Sequence, residues 1–150
     1  AFTVAHSITL VAATLGWVSV PQSPVEAVIA LSILFLAVEI IHAQQGKEGL
    51  AERSPWLIAF IFGLLHGFGF AGALAEVGLP QQSIPQALLF FNVGVELGQL
   101  MFVLAALAVG WLVKRLASQV LLNKGELTIA YIIGSLSAFW LFERTYRFWV

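Results

Sequence analysis

The chain has 150 residues, of which 60% are hydrophobic and only 10% are charged, and its formal net charge is −1. A composition this apolar excludes an ordinary soluble domain and predicts an integral membrane protein. The seven lysines and arginines offer no basic surface for nucleic acid, and the absence of cysteine excludes disulfides, thiolate metal sites and cysteine nucleophiles.

Five apolar segments predict an all-α fold, a polytopic transmembrane bundle of about five helices in an up-and-down arrangement. Each segment is near or above the ~20 residues that a helix needs to cross the hydrocarbon core. The segments cover about 1–20, 24–43, 55–74, 86–113 and 126–148. No positively charged region precedes the first segment, so it does not read as a signal peptide. We expect one transmembrane domain over 1–150, as the C-terminal part of a longer chain.

Helix-start signals stand between these segments. A Ser or Asn followed three residues later by Glu or Gln forms a capping box, and proline favours the first turn of a helix. Such signals occur at 23–26 (SPVE), 54–55 (SP), 83–86 (SIPQ) and 123–126 (NKGE). We therefore interpret Glu26 and Glu126 as capping residues near the membrane surface and exclude them from the candidate site.

The orientation follows from the basic residues. Most of them lie in two connections, 43–54 and 114–125, and the other two connections contain none. The positive-inside rule places the basic connections in the cytoplasm and puts the C-terminus outside. Arg144 and Arg147 disagree with this orientation, but Glu143 precedes Arg147 by four residues and predicts a local ion pair.

A few ionisable residues interrupt the apolar segments, and they are where function is to be sought. An ionisable side chain inside the bilayer costs about 2.5–3.5 kcal/mol on insertion scales. Such residues normally face the bundle interior, pair with one another and mark a site. They are His6, Glu39, His42, His66 and Glu96.

The third and fourth segments contain the deepest of these residues. His66 lies near the middle of the third segment, and Gly63 and Gly67 leave room beside it for a ligand or a partner helix. In the fourth segment, Asn92 and Glu96 lie four residues apart and share a face with Gln99. Two alternatives stay open: a histidine satisfied by a backbone carbonyl, and a protonated Glu96 hydrogen-bonded to a neighbouring helix.

The first two segments supply the remaining candidates. Glu39 and His42 are three residues apart, the spacing of carboxylate–histidine metal sites in helical bundles, although His42 also fits an interfacial residue. His6 shares one side of its helix with Thr3 and Thr9. It is either a ligand or an interfacial residue, and by position it is shallower than His66.

Together these motifs resemble the HupE/UreJ family of bacterial membrane proteins. The resemblance rests on four sequence motifs that occur in the same order as in the family. They lie at 2–10 (FTVAHSITL), 25–33 (VEAVIALSI), 64–71 (LLHGFGFA) and 91–99 (FNVGVELGQ). Because members are regarded as nickel or cobalt permeases, the resemblance implies a role in divalent-metal transport in a bacterial inner membrane. It implies metal ligation by His6, His66 and Glu96, and less directly by Glu39 and His42. We expect His6, His66 and Glu96 to converge between the first, third and fourth segments, with Asn92 and Glu39 as partners at the site.

Three functions fit the residues. The first is a permease for a divalent transition metal, with Ni, Co, Zn or Fe all compatible with imidazole and carboxylate ligands. The second is an intramembrane metal-dependent hydrolase, which needs three protein ligands, an open water position and a glutamate base. The third is a structural or assembly subunit, whose polar residues serve only helix packing. The expected partners are membrane lipid and either further copies of the chain or a membrane complex.

Overall fold

The computed structural model describes residues 1–78 and 83–148, and these residues form six α-helices and no strand. The all-α prediction is thus confirmed. The helices are α1 (Phe2–Thr14), α2 (Gln22–Gln44), α3 (Leu50–Arg53), α4 (Pro55–Val77), α5 (Ile84–Leu116) and α6 (Gln119–Tyr146). Four of them, α2, α4, α5 and α6, are long and apolar enough to cross a membrane.

The first apolar segment forms a shorter helix than the sequence predicts. It was expected to cross the membrane, but α1 ends at Thr14 after 13 residues, and Gly16 follows with a φ of 75°. A helix of that length spans about 20 Å, about two-thirds of the hydrocarbon core. Of the five predicted segments, four form helices that are long and apolar enough to cross a membrane, and the described residues of the first form this shorter helix.

Two of the predicted helix starts are confirmed. α4 begins directly after Ser54 and α5 directly after Ser83, each with proline in its first turn. Proline suits this place because its missing N–H would have no partner inside the helix. The short helix α3, within the 43–54 connection, was not predicted.

The capping interpretation of Glu26 and Glu126 is wrong. α2 begins at Gln22, so Glu26 lies inside the helix, where its carboxylate pairs with Nε of Arg144 at 3.2 Å. α6 begins at Gln119, so Glu126 also lies inside its helix and accepts a hydrogen bond from Gln44. Both glutamates join α2 to α6, and the capping-box pattern alone did not distinguish the two roles.

These two contacts also define the topology. α2 and α6 are antiparallel, because the start of α2 meets the end of α6 and the end of α2 meets the start of α6. The 43–54 connection therefore lies at the same end of the bundle as the connection between α5 and α6, as the basic residues required. We call this the basic end. Its assignment to the cytoplasm remains a prediction.

The arginines at the opposite end are paired. Nη2 of Arg147 lies 2.6 Å from one oxygen of Glu143, and Nη1 of Arg144 lies 2.7 Å from the other. The predicted ion pair between Glu143 and Arg147 is thus confirmed. Since Arg144 also contacts Glu26 at 3.2 Å, two carboxylates offset the two positive charges at this end.

Two glycines of α4 receive α1. A Cβ on Gly63 would overlap the backbone carbonyl of Phe2, and a Cβ on Gly67 would overlap the carbonyl of His6 and Oγ1 of Thr9. Because successive residues of α1 meet successive turns of α4, the two helices run parallel. The predicted room beside His66 is therefore taken by a partner helix.

Two more glycines of α4 receive α2. Gly69 contacts the end of the Ile29 side chain, and Gly72 contacts the amide of Gln22. Nε2 of Gln22 also donates to the carbonyl of Gly69 at 3.4 Å. α4 is thus the central helix, with α1 and α2 packed closely on different faces.

α5 is an outer helix. Leu88 on α5 packs with Leu10 of α1 and Leu74 of α4 in a small buried cluster at the end opposite to the basic end. Further along α5, a Cβ built on Gly94 or Gly98 meets no atom of another helix within 4 Å in the described part of the chain. The 33 residues of α5 span about 50 Å, which exceeds the thickness of the hydrocarbon core.

The contact between α1 and α4 is testable at Gly67. We expect Gly67→Ala to destabilise the purified protein by about 1–3 kcal/mol, because the new methyl group overlaps a backbone carbonyl that cannot turn away. Thermal unfolding in detergent measures this loss.

Gly98→Ala is the matched control. Its methyl group meets open space, so its effect should stay within about 0.5 kcal/mol. Equal stability of the two variants would contradict the close packing of α1 on α4.

Candidate functional site

Two histidines from adjacent helices lie at the centre of the bundle. His66 is about 17 Å along α4 from Pro55, near the middle of that helix. Because α1 begins alongside the middle of α4, His6 comes to the same depth. The ring centroid of Phe2 lies 5.9 Å from that of His6 and 5.5 Å from that of His66. The prediction that His6 is shallower than His66 is wrong, because α1 packs beside the middle of α4 and brings His6 next to Gly67.

His66 has one satisfied nitrogen. Its Nδ1 lies 2.8 Å from the carbonyl oxygen of Phe62, one turn earlier in α4. A carbonyl only accepts, so Nδ1 carries the hydrogen and the neutral ring keeps its lone pair on Nε2. The alternative of a histidine satisfied by a backbone carbonyl is therefore confirmed for one nitrogen. This bond defines the tautomer of the ring. In metal-binding histidines, a hydrogen bond from the nitrogen that does not bind the metal defines the tautomer in the same way.

His6 is buried without hydrogen bonds. It is 1% exposed, and neither of its ring nitrogens has a partner among the described residues. Phe2 stacks on the ring at an interplanar angle of 17°, and Phe70 meets it edge-on at a centroid distance of 5.0 Å. A buried polar group left unsatisfied costs about 1–3 kcal/mol. Such a group is a natural place for a ligand that accepts its lone pair.

The aromatic partners of these histidines were not predicted. Phe2 precedes His6 by four residues, which puts both on one face of α1, but in so apolar a chain phenylalanine at helical spacing has little specificity. The contacts of Phe2 with His66 and of Phe70 with His6 join α1 to α4, so no spacing along the chain reveals them.

A cavity of about 690 Å³ connects His66 to the basic end. It lies between α1, α2, α4 and α5 and extends along α4 from Pro55 to Phe70. Its polar lining residues are Ser32, His66 and Gln99. The other lining residues are Phe2, Ile33, Leu36, Ala51, Pro55, Ile58, Ala59, Phe62, Phe70 and Val95.

Asn92 joins α5 to α1 beside the histidines. Oγ of Ser7 donates to Oδ1 of Asn92 at 2.8 Å, and Nδ2 of Asn92 donates to the carbonyl of Leu88 at 3.0 Å. Ser7 directly follows His6, so this bond helps to position the histidine. Asn92 therefore acts as a bridge between helices in this structure.

Glu96 lies one turn beyond Asn92 on the same face of α5. It is half-buried, and its Oε2 is buried with no hydrogen-bond partner among the described residues. The alternative of a Glu96 bonded to a neighbouring helix is therefore not seen for this oxygen.

Glu39 and His42 lie apart from the histidine pair, towards the basic end. Oε2 of Glu39 accepts the backbone N–H of Ala51 at 2.8 Å. His42 is half-buried in the last turn of α2, where a positive charge is favourable next to the helix C-terminus. Their shared face does not bring them to the central cavity.

The histidines and acids do not form a complete metal cage. Across residues 1–78 and 83–148, no three His, Cys, Asp or Glu side chains come close enough together to hold one metal ion. The structure offers a pair of imidazoles, and metal binding by the wider set remains a prediction. That set is His6, His66, Glu96, Glu39, Asn92 and His42.

The fold and the site define a multi-pass helical membrane protein with two histidines buried at its centre. The family model described as HupE / UreJ protein matches residues 1–144, so the chain belongs to the HupE/UreJ family, as its motifs implied. The searches of curated proteins and of solved structures found no match.

The hydrogen bond between Ser7 and Asn92 can be measured in a double-mutant cycle. We expect Ser7→Ala and Asn92→Leu to couple by about 0.6 kcal/mol, and by no more than about 1.7 kcal/mol, as hydrogen bonds between membrane helices do. Unfolding of the four variants in detergent gives the coupling.

Thr128 provides the comparison, because its hydroxyl donates to the carbonyl of Lys124 within α6. Thr128→Ala combined with Asn92→Leu should show no coupling. A zero value for the pair of Ser7 and Asn92 would mean that α5 does not lie against α1 as described.

Proposed function

We propose that the protein is a permease for a divalent transition metal, nickel or cobalt, and that His6 and His66 form its transient binding site. One observation supports this most directly. A buried His6 with two unpartnered nitrogens lies beside a His66 whose hydrogen bond leaves Nε2 with its lone pair. The association of the HupE/UreJ family with nickel and cobalt transport agrees with the proposal.

The ligand chemistry suits a transported ion. Neutral imidazole binds nickel, cobalt, zinc and copper, so the choice among them depends on geometry and supply. A permease must release its ion, and two imidazoles completed by water hold a metal less firmly than a closed cage. The substrate would therefore bind to His6 and His66 and keep part of its hydration shell.

Glu96 is the candidate for the compensating negative charge. A divalent cation in a medium of low dielectric needs a carboxylate nearby. Glu96 offers a buried oxygen without a partner, on a helix that has no backbone contact with α2 or α4 in the described part of the chain. In the proposed cycle, a shift of α5 brings this carboxylate towards the histidines, and no backbone contact with α2 or α4 opposes that shift in the described part of the chain.

The cavity provides half of a route. It connects His66 to the basic end over about 17 Å of α4, through walls that are mostly apolar. Apolar walls offer an ion few places to stop, so the polar groups of Gln99 and Ser32 become the stopping points along the way.

The hydrolase is the second candidate, and one observation favours it. Among the described residues, α5 contributes only Val95 and Gln99 to the wall of the cavity, and no backbone contact joins α4 to α5, which leaves an opening between these two helices. A lipid-embedded substrate would need such an opening. The hydrolase also needs three protein ligands for its metal, whereas the permease needs only a weak site.

Nickel uptake into proteoliposomes tests the proposal. We expect His6→Ala and His66→Ala each to lower uptake of radioactive nickel by at least about tenfold, because loss of an outer-shell partner alone costs a metal site that much. His42→Ala, on α2 near the basic end, should retain most of the activity.

Two outcomes of the uptake measurement would contradict the proposal. Wild-type uptake that His6→Ala and His66→Ala leave intact would contradict the assignment of the site. Wild-type protein that neither binds nor transports nickel or cobalt would contradict the permease and favour the structural role.

A further inference from the structure

The short helix α3 forms a wall of the cavity that leads to His66. Its residue Ala51 lines this cavity and also a neighbouring one of about 410 Å³ at the basic end. The second cavity is lined further by Glu39, Gly49 and Glu52. α3 therefore stands between the path to His66 and the basic end of the bundle.

One carboxylate of α2 fastens α3 in this place. Oε2 of Glu39 accepts the backbone N–H of Ala51 at 2.8 Å. Gly49 packs so closely on the same carboxylate that a Cβ there would overlap it. The carboxylate thus contacts both the residue before α3 and the residue within it, and a hydrogen bond to an ionised acceptor is stronger than a neutral one.

The rest of α3 is weakly held. None of its four residues is buried, and the Leu50 side chain is 59% exposed. Its ion pair, between Arg53 and Glu48 at 3.3 Å, is largely solvent-exposed and contributes little. A segment with few buried contacts opens at low free energy.

Two glycines lie on the N-terminal side of α3, where a hinge for this helix would have to be. Gly46 adopts a φ of 73°, a conformation that glycine reaches without strain, and Gly49 lies directly before α3. On the other side, α4 begins at Pro55, whose ring fixes the φ angle at the start of that helix.

We infer that α3 is a gate over the mouth of the cavity at the basic end, and that the Glu39 carboxylate is the latch that keeps it closed. When the bond to Ala51 breaks, α3 swings away on Gly46 and Gly49 and exposes the path to His66. The role of α3 as a gate for an ion rests on the proposed transport function. The movement of α3 away from the cavity does not depend on that function.

The absence of cysteine makes the gate measurable. Ala59→Cys introduces a single thiol in the cavity wall, one turn inside the mouth. The rate at which a membrane-impermeant maleimide labels this thiol, in the full chain in nanodiscs, reports how often the gate is open. Nickel is not needed for the measurement.

Two different changes remove the latch. Glu39→Ala deletes the acceptor, and Ala51→Pro deletes the donor N–H in the first turn of α3, where proline is tolerated. We expect each to raise the labelling rate of Ala59→Cys by about 3- to 30-fold, the range that corresponds to losing one capping hydrogen bond. If one variant fails to fold, the other still tests the same bond.

Two controls separate gating from general loosening. Glu52→Gln changes an exposed carboxylate on α3 and should leave the labelling rate unchanged. Ser118→Cys puts the thiol on the exposed connection between α5 and α6. The maleimide should label this thiol at the same rate with the latch intact and in both latch variants. Unchanged labelling of Ala59→Cys in both latch variants would overturn the gate.

The gate and the permease fail in different ways. If latch variants label faster but the wild-type protein transports no nickel or cobalt, the gate stands and the proposed function falls. If His66→Ala abolishes nickel uptake but the latch variants do not change labelling, the permease stands and the gate falls.

Discussion

The close contact between α1 and α4 is the constraint on which the rest of the structure depends. Lipid is as apolar as a leucine side chain, so helices in a membrane associate through van der Waals contact and hydrogen bonds instead of the hydrophobic effect. Gly63 and Gly67 let the backbone of α1 approach α4 until it meets the carbonyls of Phe2 and His6. The same contact holds the 13 residues of α1 within the bundle.

That contact also determines the chemistry. It brings His6 to the depth of His66, encloses it between Phe2 and Phe70, and leaves both its nitrogens without partners in the described part of the chain. An unsatisfied imidazole is costly in this environment, and a cation that binds to it recovers part of the cost. Under the proposed function, stability and metal binding oppose each other at His6, as is common where a site is built into a packed core.

The sequence predicted the parts of the structure that depend on local pattern. The lengths of the apolar segments predicted the four long helices, and the glycines around His66 indicated close packing. The depth of His6 could not be predicted, because it depends on where α1 meets α4 and not on its position in the segment. The roles of Glu26 and Glu39 were likewise hidden, since their partners, Arg144 and the N–H of Ala51, are brought to them by helix packing and by an unpredicted turn of helix.

The most direct test of the account is X-ray absorption at the nickel edge of the metal-loaded protein. Imidazole ligands give a characteristic scattering from the outer atoms of the ring, so their number can be counted. We expect two imidazoles in the wild-type protein and one in each of His6→Ala and His66→Ala, with the remaining positions filled by oxygen. A nickel site with oxygen ligands alone, unchanged in both variants, would contradict the central claim that these two histidines bind the metal.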